Sequence, residues 1–454
     1  MLTSDLISAS STLSRSIGTQ KFSSVAFDTR ILKKGALYIP LVAARNGHSF
    51  IQDAINKGAI GALWNINESV PANIPESFQL YFVEDTLISF QQMAKTYRDL
   101  VNPIVVAVTG SNGKTTTKDI LESLLSIHGE TFKTEGNFNN HIGLPMTILS
   151  MPSSCQYLIL EMGMSAFGEI ELLSNIAKPN LAVVTNIGES HMEFLGSREG
   201  IAKAKMEITS GLLDSGKVYL DGDEKMLEPY YSNKVVKIGV AKTNDYVISK
   251  IEPKLDGFHF FLGDESFKLS LLGRHNVKNA SICIALVTEL GFDYKQIQAG
   301  LSRVSLTGMR LEKSIGANGE WIINDAYNAS PTSMIAAIET IKDIPDKSKK
   351  IVVLGDIFEL GEQEELLHRQ VASSLVAPIT DILLVGEKAK WIYDEWFQNH
   401  RIDSINVEYF LTKEEAERSI ASKVNNHTVI LFKASRGMEL EQLINQYQQS
   451  RKEG

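Results

Sequence analysis

The chain has 454 residues, of which 43% are hydrophobic and 22% are charged, and its formal net charge is −9. This length exceeds the usual domain size of about 50 to 200 residues, and we expect three domains. The acidic balance excludes nucleic acid as an expected partner and disfavours anionic membranes. The densest basic cluster is Lys347, Lys349 and Lys350, which we interpret as a solvated approach to a strand.

The cellular compartment is inferred from the cysteines and the N-terminus. Cys155 and Cys283 lie far apart in apolar surroundings, which argues against a disulfide framework or a cysteine metal site. Residues 1–16 lack the basic region and apolar core of a signal peptide. No apolar run approaches the roughly 20 residues needed to span a bilayer. We therefore expect a cytoplasmic monomer without membrane insertion.

The first hundred residues predict a small α/β domain at 1–100. A strand-like segment at 35–42 precedes a helix candidate at 50–57 and a small-residue turn at 58–61. After the proline-rich stretch at 70–75, a second helix is predicted at 87–100.

The residue pattern changes at Pro103, where a continuous apolar run begins. This change marks a central domain, which we place at 101–312. Residues 104–108 form a continuous apolar run, typical of a parallel strand covered on both faces. The apolar spacing after it predicts a helix at 116–128. The other elements of this domain follow in chain order: buried strands at 157–160 and 181–184, an antiparallel meander at 246–272, and helices at 276–290 and 294–301. Helices between buried strands predict a doubly wound, mostly parallel sheet.

A third alternation of strands and helices predicts a C-terminal Rossmann-like α/β domain at 313–454. Its predicted elements are strands at 321–324, 351–354, 382–385 and 429–432, helices at 332–341 and 362–376, and a final helix. The predicted fold class is therefore α/β with three domains.

The strongest chemical signal follows the strand at 104–108. It is a phosphate-binding loop that consists of Thr109, Gly110, Ser111, Asn112, Gly113, Lys114, Thr115 and Thr116. Glycines permit close backbone approach to phosphate, the lysine neutralises its charge, and the Thr115 hydroxyl suits magnesium. Val108 stands where the strict pattern has glycine. A chance Gly-Lys-Thr turn is the alternative, which the flanking strand and helix disfavour.

Two polar residues follow the next predicted strands. Glu161 ends one strand and His191 follows the other, so parallel pairing would place both at the carboxyl edge of the sheet. A phosphate loop needs such an acid to complete its magnesium site. A solvent-facing glutamate and a structural histidine remain the alternatives.

These motifs, in this order, resemble the Mur ligase family over nearly the whole chain. The residues that carry the resemblance are Thr109 to Thr115, Glu161, Thr185, Asn186, His191, Lys205, His275, Asn276, Asn279, Arg310 and Asp325. The family's lysine that becomes carbamylated is best matched by Lys205, with Lys203 as the alternative. Without the resemblance, Lys205 is better explained as a surface lysine paired with Glu199 or Glu207.

The resemblance implies a role for each matched residue. ATP and Mg²⁺ would be the cofactors, together with a carbamylated Lys205. The implied roles are γ-phosphate binding by Lys114 and Arg310, one magnesium ion at Thr115 and Glu161, a second at His191 and carbamylated Lys205, adenine binding by Asn276 and Asn279, and ribose binding by Asp325. The catalytic set would then be Lys114, His191, Lys205 and Arg310.

Further segments resemble family members that add D-alanyl-D-alanine to UDP-N-acetylmuramoyl-tripeptide. The resemblance implies substrate contacts by Asn137, Asn139, Asn140, Tyr327 and Asn328, and uridine-nucleotide contacts by Asp28, Arg30, Gly47 and His48. From the residues alone, the last four form only a turn and a helix entry. The tracts at 353–361 and 433–437 are interpreted as substrate-side loops.

The implied reaction activates a peptide carboxylate with ATP to an acyl phosphate, which the amine of D-alanyl-D-alanine then attacks. There are three alternatives. The preceding muramyl ligase typically carries Asp-Asn-Pro, which does not occur in this sequence. A folate-polyglutamylating enzyme usually lacks the N-terminal domain. A nucleotide switch or regulatory ATPase would form no bond.

Overall fold

A computed structural model describes residues 2–9, 20–399 and 404–450, so part of the segment 1–16 lies outside the described residues. Contacts divide the chain into two compact units. The first contains the described residues up to Thr109, with His128–Ala182 and Glu207–Lys217; the second contains Gly110–Ile127, Val183–Met206 and the described residues from Val218 onward. The domain boundaries at 100/101 and 312/313 stay predictions. Within the described ranges, no helix has the length and apolar character to cross a membrane.

Helices and strands alternate along most of the described chain. The helices are α1 Ser4–Ala9, α2 Ile51–Asn56, α3 Thr86–Val101, α4 Lys114–Leu125, α5 Gly143–Ser150, α6 Glu169–Ala177, α7 Met192–Leu195, α8 Arg198–Met206, α9 His275–Glu289, α10 Tyr294–Leu301, α11 Pro331–Lys342, α12 Glu364–Val371, α13 Ala389–Asn399, α14 Lys413–Lys423 and α15 Glu441–Ser450. The strands are β1 Val25–Ala26, β2 Leu37–Tyr38, β3 Gly61–Asn65, β4 Gln79–Val83, β5 Ile104–Thr109, β6 Thr131–Lys133, β7 Tyr157–Glu161, β8 Leu181–Val184, β9 Lys217–Asp221, β10 Val235–Gly239, β11 Tyr246–Lys254, β12 Gly257–Leu262, β13 Glu265–Leu269, β14 Glu312–Ile315, β15 Trp321–Asn324, β16 Lys349–Gly355, β17 Asp381–Val385, β18 Asn406–Phe410 and β19 Thr428–Lys433.

The N-terminal sheet has four parallel strands in the order β1-β2-β3-β4. Its core contains Tyr38, Ile51, Ala54, Ala59, Ala62, Trp64 and Phe78. Both helices predicted in this part are present as α2 and α3. The Asp85 side chain caps α3 by accepting from Leu87 N and Ile88 N, and Asn102 ends it in a left-handed conformation before Pro103.

The central sheet has nine strands in the order β13-β12-β11-β10-β9-β8-β5-β7-β6. Strand β7 pairs in parallel with β5 and β6, and β10 pairs in parallel with β9 and β11. The predicted meander is present as β11, β12 and β13, but it extends this sheet, because Ile238 of β10 pairs with Tyr246 of β11. Neither β9 nor β10 was predicted, because lysine and aspartate stand among the apolar residues of these strands.

The C-terminal sheet has six strands in the order β14-β15-β19-β16-β17-β18, parallel except for β14 with β15. Successive residues of β16 point to opposite faces. Val352 and Leu354 pack against α11, α12 and α13, whereas Ile351 and Val353 pack against α14 and α15. Apolar cover on both faces produces the continuous apolar runs from which this doubly wound arrangement was predicted. The predicted α/β class with mostly parallel sheets is confirmed.

The lysine cluster before β16 differs from the prediction of a solvated approach. Lys347 and Lys350 are only 8% and 5% exposed. Lys350 Nζ donates to Lys342 O and Ile344 O, each at 2.6 Å, and burial lowers the pKa of Lys350. The ammonium group therefore satisfies backbone carbonyls at the C-terminal end of α11, where no intrahelical donor is available. The prediction of a solvated cluster was wrong.

Lys350→Met should lower the free energy of unfolding by about 2 kcal/mol or more, because it leaves two carbonyl acceptors without their buried donor. Lys349→Met is the matched control, since Lys349 is part-exposed and lies 3.9 Å from Asp381 in a weak ion pair. The control should cost less than about 1 kcal/mol. Urea unfolding of both variants measures the difference, and equal losses would contradict the capping role.

Candidate functional site

The phosphate loop joins β5 to α4 through two glycines in unusual conformations. Gly110 has φ 152° and Gly113 has φ 79°, values that favour glycine. A Cβ on Gly110 would lie 1.8 Å from Thr185 Oγ1, and one on Gly113 would lie 2.9 Å from Asn279 Nδ2. Both glycines are therefore required by backbone conformation and by close neighbours. The predicted sequence of strand, loop and helix is present.

The segment after β8 holds this loop in shape. Asn186 accepts two backbone N–H groups, from Ser111 to its carbonyl oxygen at 3.1 Å and from Asn112 to its Oδ1 at 2.9 Å. Thr185 Oγ1 donates to Asn112 O at 2.5 Å, and Gly188 N donates to Ser111 Oγ at 2.9 Å. The Thr-Asn pair found in the sequence thus acts physically as a brace for the phosphate loop.

Lys205 is buried beside the loop lysine. Its side chain on α8 is 2% exposed, and burial followed by the charge of Lys114 lowers its pKa well below the usual range. No hydrogen-bond or ion-pair partner for Lys205 Nζ occurs among the described residues. Lys203, the alternative candidate, is exposed, and Glu207 accepts from Gly168 N instead. The explanation of Lys205 as a surface lysine paired with a glutamate is therefore wrong.

His191 lies in a left-handed turn at φ 65°, directly before α7. Its Nδ1 is 3.0 Å from Glu359 Oε2, and the hydrogen bond with His191 holds the pKa of Glu359 below its usual value. Sequence analysis placed Glu359 in a substrate-side loop without a contact. A pairing between residues so distant in the chain has no local sequence signal.

Two more contacts connect the same loops to the first turn of α11. Ser330 Oγ accepts from Asn112 Nδ2 at 3.2 Å, and Thr332 Oγ1 donates to Glu189 Oε2 at 2.5 Å. Ser330 also caps α11 by accepting from Ser333 N. None of Glu189, Ser330 and Thr332 was among the candidate site residues.

Glu161 and Asn139 lie together in the first compact unit. Glu161 is the last residue of β7 and is 4% exposed, so the alternative of a solvent-facing glutamate is wrong. Asn139 Nδ2 donates to Glu161 Oε1 at 3.0 Å. Asn140 Oδ1 accepts from Gly143 N at 2.8 Å at the start of α5, whereas Asn137 is exposed. The predicted substrate segment and the predicted magnesium acid are thus hydrogen-bonded neighbours.

The four candidates near the N-terminus have local structural partners. Asp28 pairs with Arg30 at 2.6 Å, and the hydrogen bond from Arg30 lowers the pKa of Asp28. Gly47 O accepts from Tyr38 Oη at 2.9 Å. His48 is buried, its Nδ1 lies 2.8 Å from Asn46 Oδ1, and its Nε2 accepts from the backbone N–H of residue 65 at 3.2 Å. Their contact with a uridine nucleotide stays a prediction.

The predicted adenine residues form a pair at the start of α9. Asn279 Nδ2 donates to Asn276 Oδ1 at 3.0 Å, and Asn276 Nδ2 donates to Leu272 O at 2.7 Å. Lys278, between them, forms an ion pair with Asp221 at 2.7 Å. Sequence analysis missed this acid, which fixes the first turn of α9 to the end of β9.

The remaining candidates meet around the linker before β14. The Arg310 guanidinium lies over the Tyr327 ring, 4.1 Å from its centroid. Asp325 Oδ1 accepts from Leu311 N at 3.1 Å, and Asp325 Oδ2 pairs with Lys433 Nζ at 2.5 Å. Lys433 Nζ also donates to the carbonyl of Asn328 at 3.2 Å.

Known proteins resemble this chain along nearly its full length. Residues 108–287 match the Mur ligase middle domain, and residues 309–436 match the Mur ligase, glutamate ligase domain. The UDP-N-acetylmuramoyl-tripeptide–D-alanyl-D-alanine ligase of Bacillus subtilis (strain 168) is 43% identical over 425 residues, covering 92% of each chain. The ligase of that name from Escherichia coli (strain K12) is 32% identical over 441 residues, covering 94% of each.

Two solved structures share the fold. MurF from Acinetobacter baumannii superposes with a TM-score of 0.88 at 27% identity and covers 98% of each chain. MurF ligase from Thermotoga maritima, in complex with ADP, gives a TM-score of 0.83 at 27% identity and covers 95% of this chain and 98% of its own.

Gly110→Ala should weaken ATP binding roughly tenfold or more, because its Cβ would displace Thr185 and distort the loop, and overpacking alone costs about 1 to 3 kcal/mol. Gly168→Ala is the matched control: Gly168 has φ 83°, but no atom of the described residues lies within 4 Å of the position that a Cβ would occupy there. The control should lose about 1 kcal/mol of stability and no ATP affinity. Calorimetric titration with ATP distinguishes the two, and normal binding by Gly110→Ala would contradict the packing argument.

Proposed function

The chain belongs to the Mur ligase family, and on this premise we propose that it joins D-alanyl-D-alanine to UDP-N-acetylmuramoyl-tripeptide in peptidoglycan precursor synthesis, converting ATP to ADP and phosphate. The relatives that bear this activity in their names are 43% and 32% identical over more than nine-tenths of the chain. One similar structure was solved with ADP. The observation that carries the proposal is a phosphate loop held by Asn186, with a buried lysine, Lys205, beside Lys114 that has no hydrogen-bond or ion-pair partner within the described ranges.

The reaction proceeds in two steps. An acceptor carboxylate oxygen bonds to the γ-phosphorus, and the bond from γ-phosphorus to the β-phosphate oxygen breaks, which releases ADP. The amine of D-alanyl-D-alanine then attacks the acyl carbon, phosphate departs, and the amine loses a proton. The main task of the protein is to hold two anions together, and the positive charges of Lys114 and Arg310 would offset their repulsion.

Nucleotide binding is assigned to the phosphate loop at 109–116 and to Asn276, Asn279, Arg310 and Asp325. Backbone N–H groups from Gly110 to Thr116 would surround the phosphates, with Thr109 ahead of them in β5. Asn276 and Asn279 would bind adenine. Both oxygens of Asp325 already have partners, but a carboxylate has about four lone-pair sites, so a ribose hydroxyl can still donate to it.

The oxygen atoms of Thr115, Glu161 and a carbamylated Lys205 are donors of a kind that suits magnesium. A buried amine without a counter-charge is unfavourable, whereas the carbamate that it forms with carbon dioxide is an oxygen donor of the kind that magnesium prefers. Thr115, Glu161, His191 and carbamylated Lys205 would hold two ions. Bound there, magnesium supplies positive charge to the phosphates. Protein ligands that are few and scattered suit an ion that phosphates help to coordinate.

The other parts of the chain have assigned tasks in this proposal. We assign domains at 1–100, 101–312 and 313–454. The four-, nine- and six-stranded sheets follow one another along the chain in the same order, which supports this division. The first domain would hold the uridine nucleotide through Asp28, Arg30, Gly47 and His48. Asn137, Asn139, Asn140, Tyr327 and Asn328 would face the substrates. We expect a monomer in the cytoplasm, an environment that suits two free buried cysteines.

A substrate panel tests the proposal against its rivals. Purified protein receives ATP, UDP-N-acetylmuramoyl-tripeptide and one amine at a time, and phosphate release and product mass are measured. D-alanyl-D-alanine should give a product of the mass expected for amide formation, with phosphate released only when both substrates are present. A second series replaces the tripeptide acceptor with UDP-N-acetylmuramoyl-dipeptide, and product from this acceptor and a single amino acid would indicate the preceding ligase. Phosphate release without either substrate would indicate an ATPase.

Lys114→Ala should reduce synthesis at least a hundredfold, because loss of one such fixed charge commonly costs roughly 3 kcal/mol or more. Lys242→Ala, which removes an exposed lysine, should retain the parent rate. The rates are measured as ADP formation in the complete reaction. Synthesis by Lys114→Ala within tenfold of the parent would refute the role of the loop.

Lys205→Ala and Lys205→Arg should both lose most activity while still binding ATP, because neither alanine nor guanidinium forms a carbamate. Lys203→Ala is the control and should remain active, since Lys203 is exposed. Carbon dioxide reacts with the neutral amine, which a lowered pKa makes available near neutrality. Activity should therefore fall after incubation at mildly acidic pH without bicarbonate and return with bicarbonate at neutral pH. A fully active Lys205→Arg enzyme would exclude the carbamate.

A further inference from the structure

The linker that carries Arg310 has a strained backbone. Met309 and Leu311, on either side of Arg310, have φ values of 60° and 50°. Non-glycine residues rarely adopt this left-handed region, and such strain persists only when the surroundings determine the conformation. The direction in which Arg310 leaves the chain is therefore fixed by contacts of its neighbours.

Those contacts anchor the linker on both sides of Arg310. Met309 N donates to Glu312 Oε2 at 2.8 Å, and Leu311 N donates to Asp325 Oδ1 at 3.1 Å. The Leu311 side chain is 7% exposed and belongs to an apolar core on one face of the six-stranded sheet. Asp325 is in turn held by Lys433, whose side chain is 4% exposed.

Among the residues that the structure describes, the Arg310 guanidinium has an aromatic partner and no acidic one. It lies 4.1 Å from the Tyr327 ring centroid, its Nε is buried without a hydrogen-bond partner, and no carboxylate in the described ranges pairs with it. A carboxylate would compete with phosphate for the guanidinium. A ring face attracts the cation but leaves its N–H donors available to an anion.

The ring and the linker share one support. Lys433 Nζ holds Asp325, which binds the linker, and also donates to the carbonyl of Asn328, the residue after Tyr327. We propose that Tyr327 is a positioning residue whose ring holds the Arg310 guanidinium in the orientation that binds the terminal phosphate of ATP. This inference rests on the proposed function, in which Arg310 contacts the γ-phosphate.

The proposal predicts discrimination between triphosphate and diphosphate. Only ATP carries the phosphate that Arg310 would contact, so loss of the ring should weaken ATP and spare ADP. A cation–π contact of this kind is commonly worth about a threefold to thirtyfold change in affinity. A tyrosine that contacted the nucleotide base or ribose itself would affect both ligands equally.

Calorimetric titration with a non-hydrolysable ATP analogue and with ADP, both with magnesium, tests this difference. Tyr327→Leu should weaken the analogue about threefold to thirtyfold and ADP less than twofold. Tyr327→Phe, which keeps the ring, should restore the preference for the analogue. Phe261→Leu is the matched control, because it removes the ring 4.5 Å from Lys250 in the β-meander and should change neither affinity. If Tyr327→Leu does not fold, Tyr327→Met replaces it.

Arg310→Ala separates failure of the inference from failure of the proposed function. If Arg310→Ala weakens the analogue and ADP equally, the γ-phosphate role of Arg310 is wrong. If Arg310→Ala is selective but Tyr327→Leu weakens both ligands equally, the positioning role alone is overturned. In the Arg310→Ala background, Tyr327→Leu should add less than twofold to the loss of analogue affinity, and fully multiplicative effects would also overturn it.

Discussion

The close approach of Gly110 to Thr185 is the constraint on which the site depends. A side chain at position 110 would overlap Thr185 Oγ1, and this absence of a Cβ lets the segment after β8 reach the phosphate loop. Asn186 and Gly188 then form hydrogen bonds with Ser111 and Asn112. These bonds give the N–H groups of Ser111 and Asn112 and the hydroxyl group of Ser111 partners outside the loop, and they restrain the backbone of the loop. Binding then loses less conformational freedom than it would with a mobile loop.

The buried lysines differ in whether their ammonium groups have hydrogen-bond partners. This difference distinguishes lysines with a structural role from a lysine with a role in the chemistry. Lys350 and Lys433 each have oxygen atoms within hydrogen-bond distance, so burial of their charge is offset locally. Lys205 has no such partner in the described part of the chain and lies near a second positive charge. A site that served stability alone would gain by replacing Lys205 with an apolar residue. Its cost to the fold is therefore an argument for a chemical role.

Sequence predicted the elements whose signal is local. Continuous apolar runs located β5, β7, β8 and β16, because strands covered on both faces need apolar residues at every position. It missed β9, β10 and β18, because polar or charged residues interrupt the apolar residues of each of these strands. The prediction of a solvated lysine cluster was wrong because the contact of Lys350 with the C-terminal end of α11 depends on the fold. A run of lysines in the sequence does not indicate such a contact. Residues with a motif were found as candidates. The contacts that orient them, from Glu359 to His191, from Ser330 to Asn112 and from Lys433 to Asp325, join distant segments and have no local sequence signal, although Glu359 and Lys433 lie in tracts that were interpreted as substrate-side loops.

A residue that belongs to a family motif can itself be one of the partners that orient another candidate. Asp325 belongs to a motif, yet its two oxygens bind a linker N–H and a buried lysine, so a substitution there would move Arg310 even if no nucleotide touched it. Tyr327 follows two residues later and lies under that arginine. The segment 325–328 after β15 thus fixes the backbone conformation next to Arg310 through Asp325, and it also carries the Tyr327 ring that contacts the guanidinium. The left-handed conformations of Met309 and Leu311 persist because the backbone N–H of Met309 donates to Glu312 and that of Leu311 donates to Asp325, and these bonds fix the direction in which Arg310 leaves the chain.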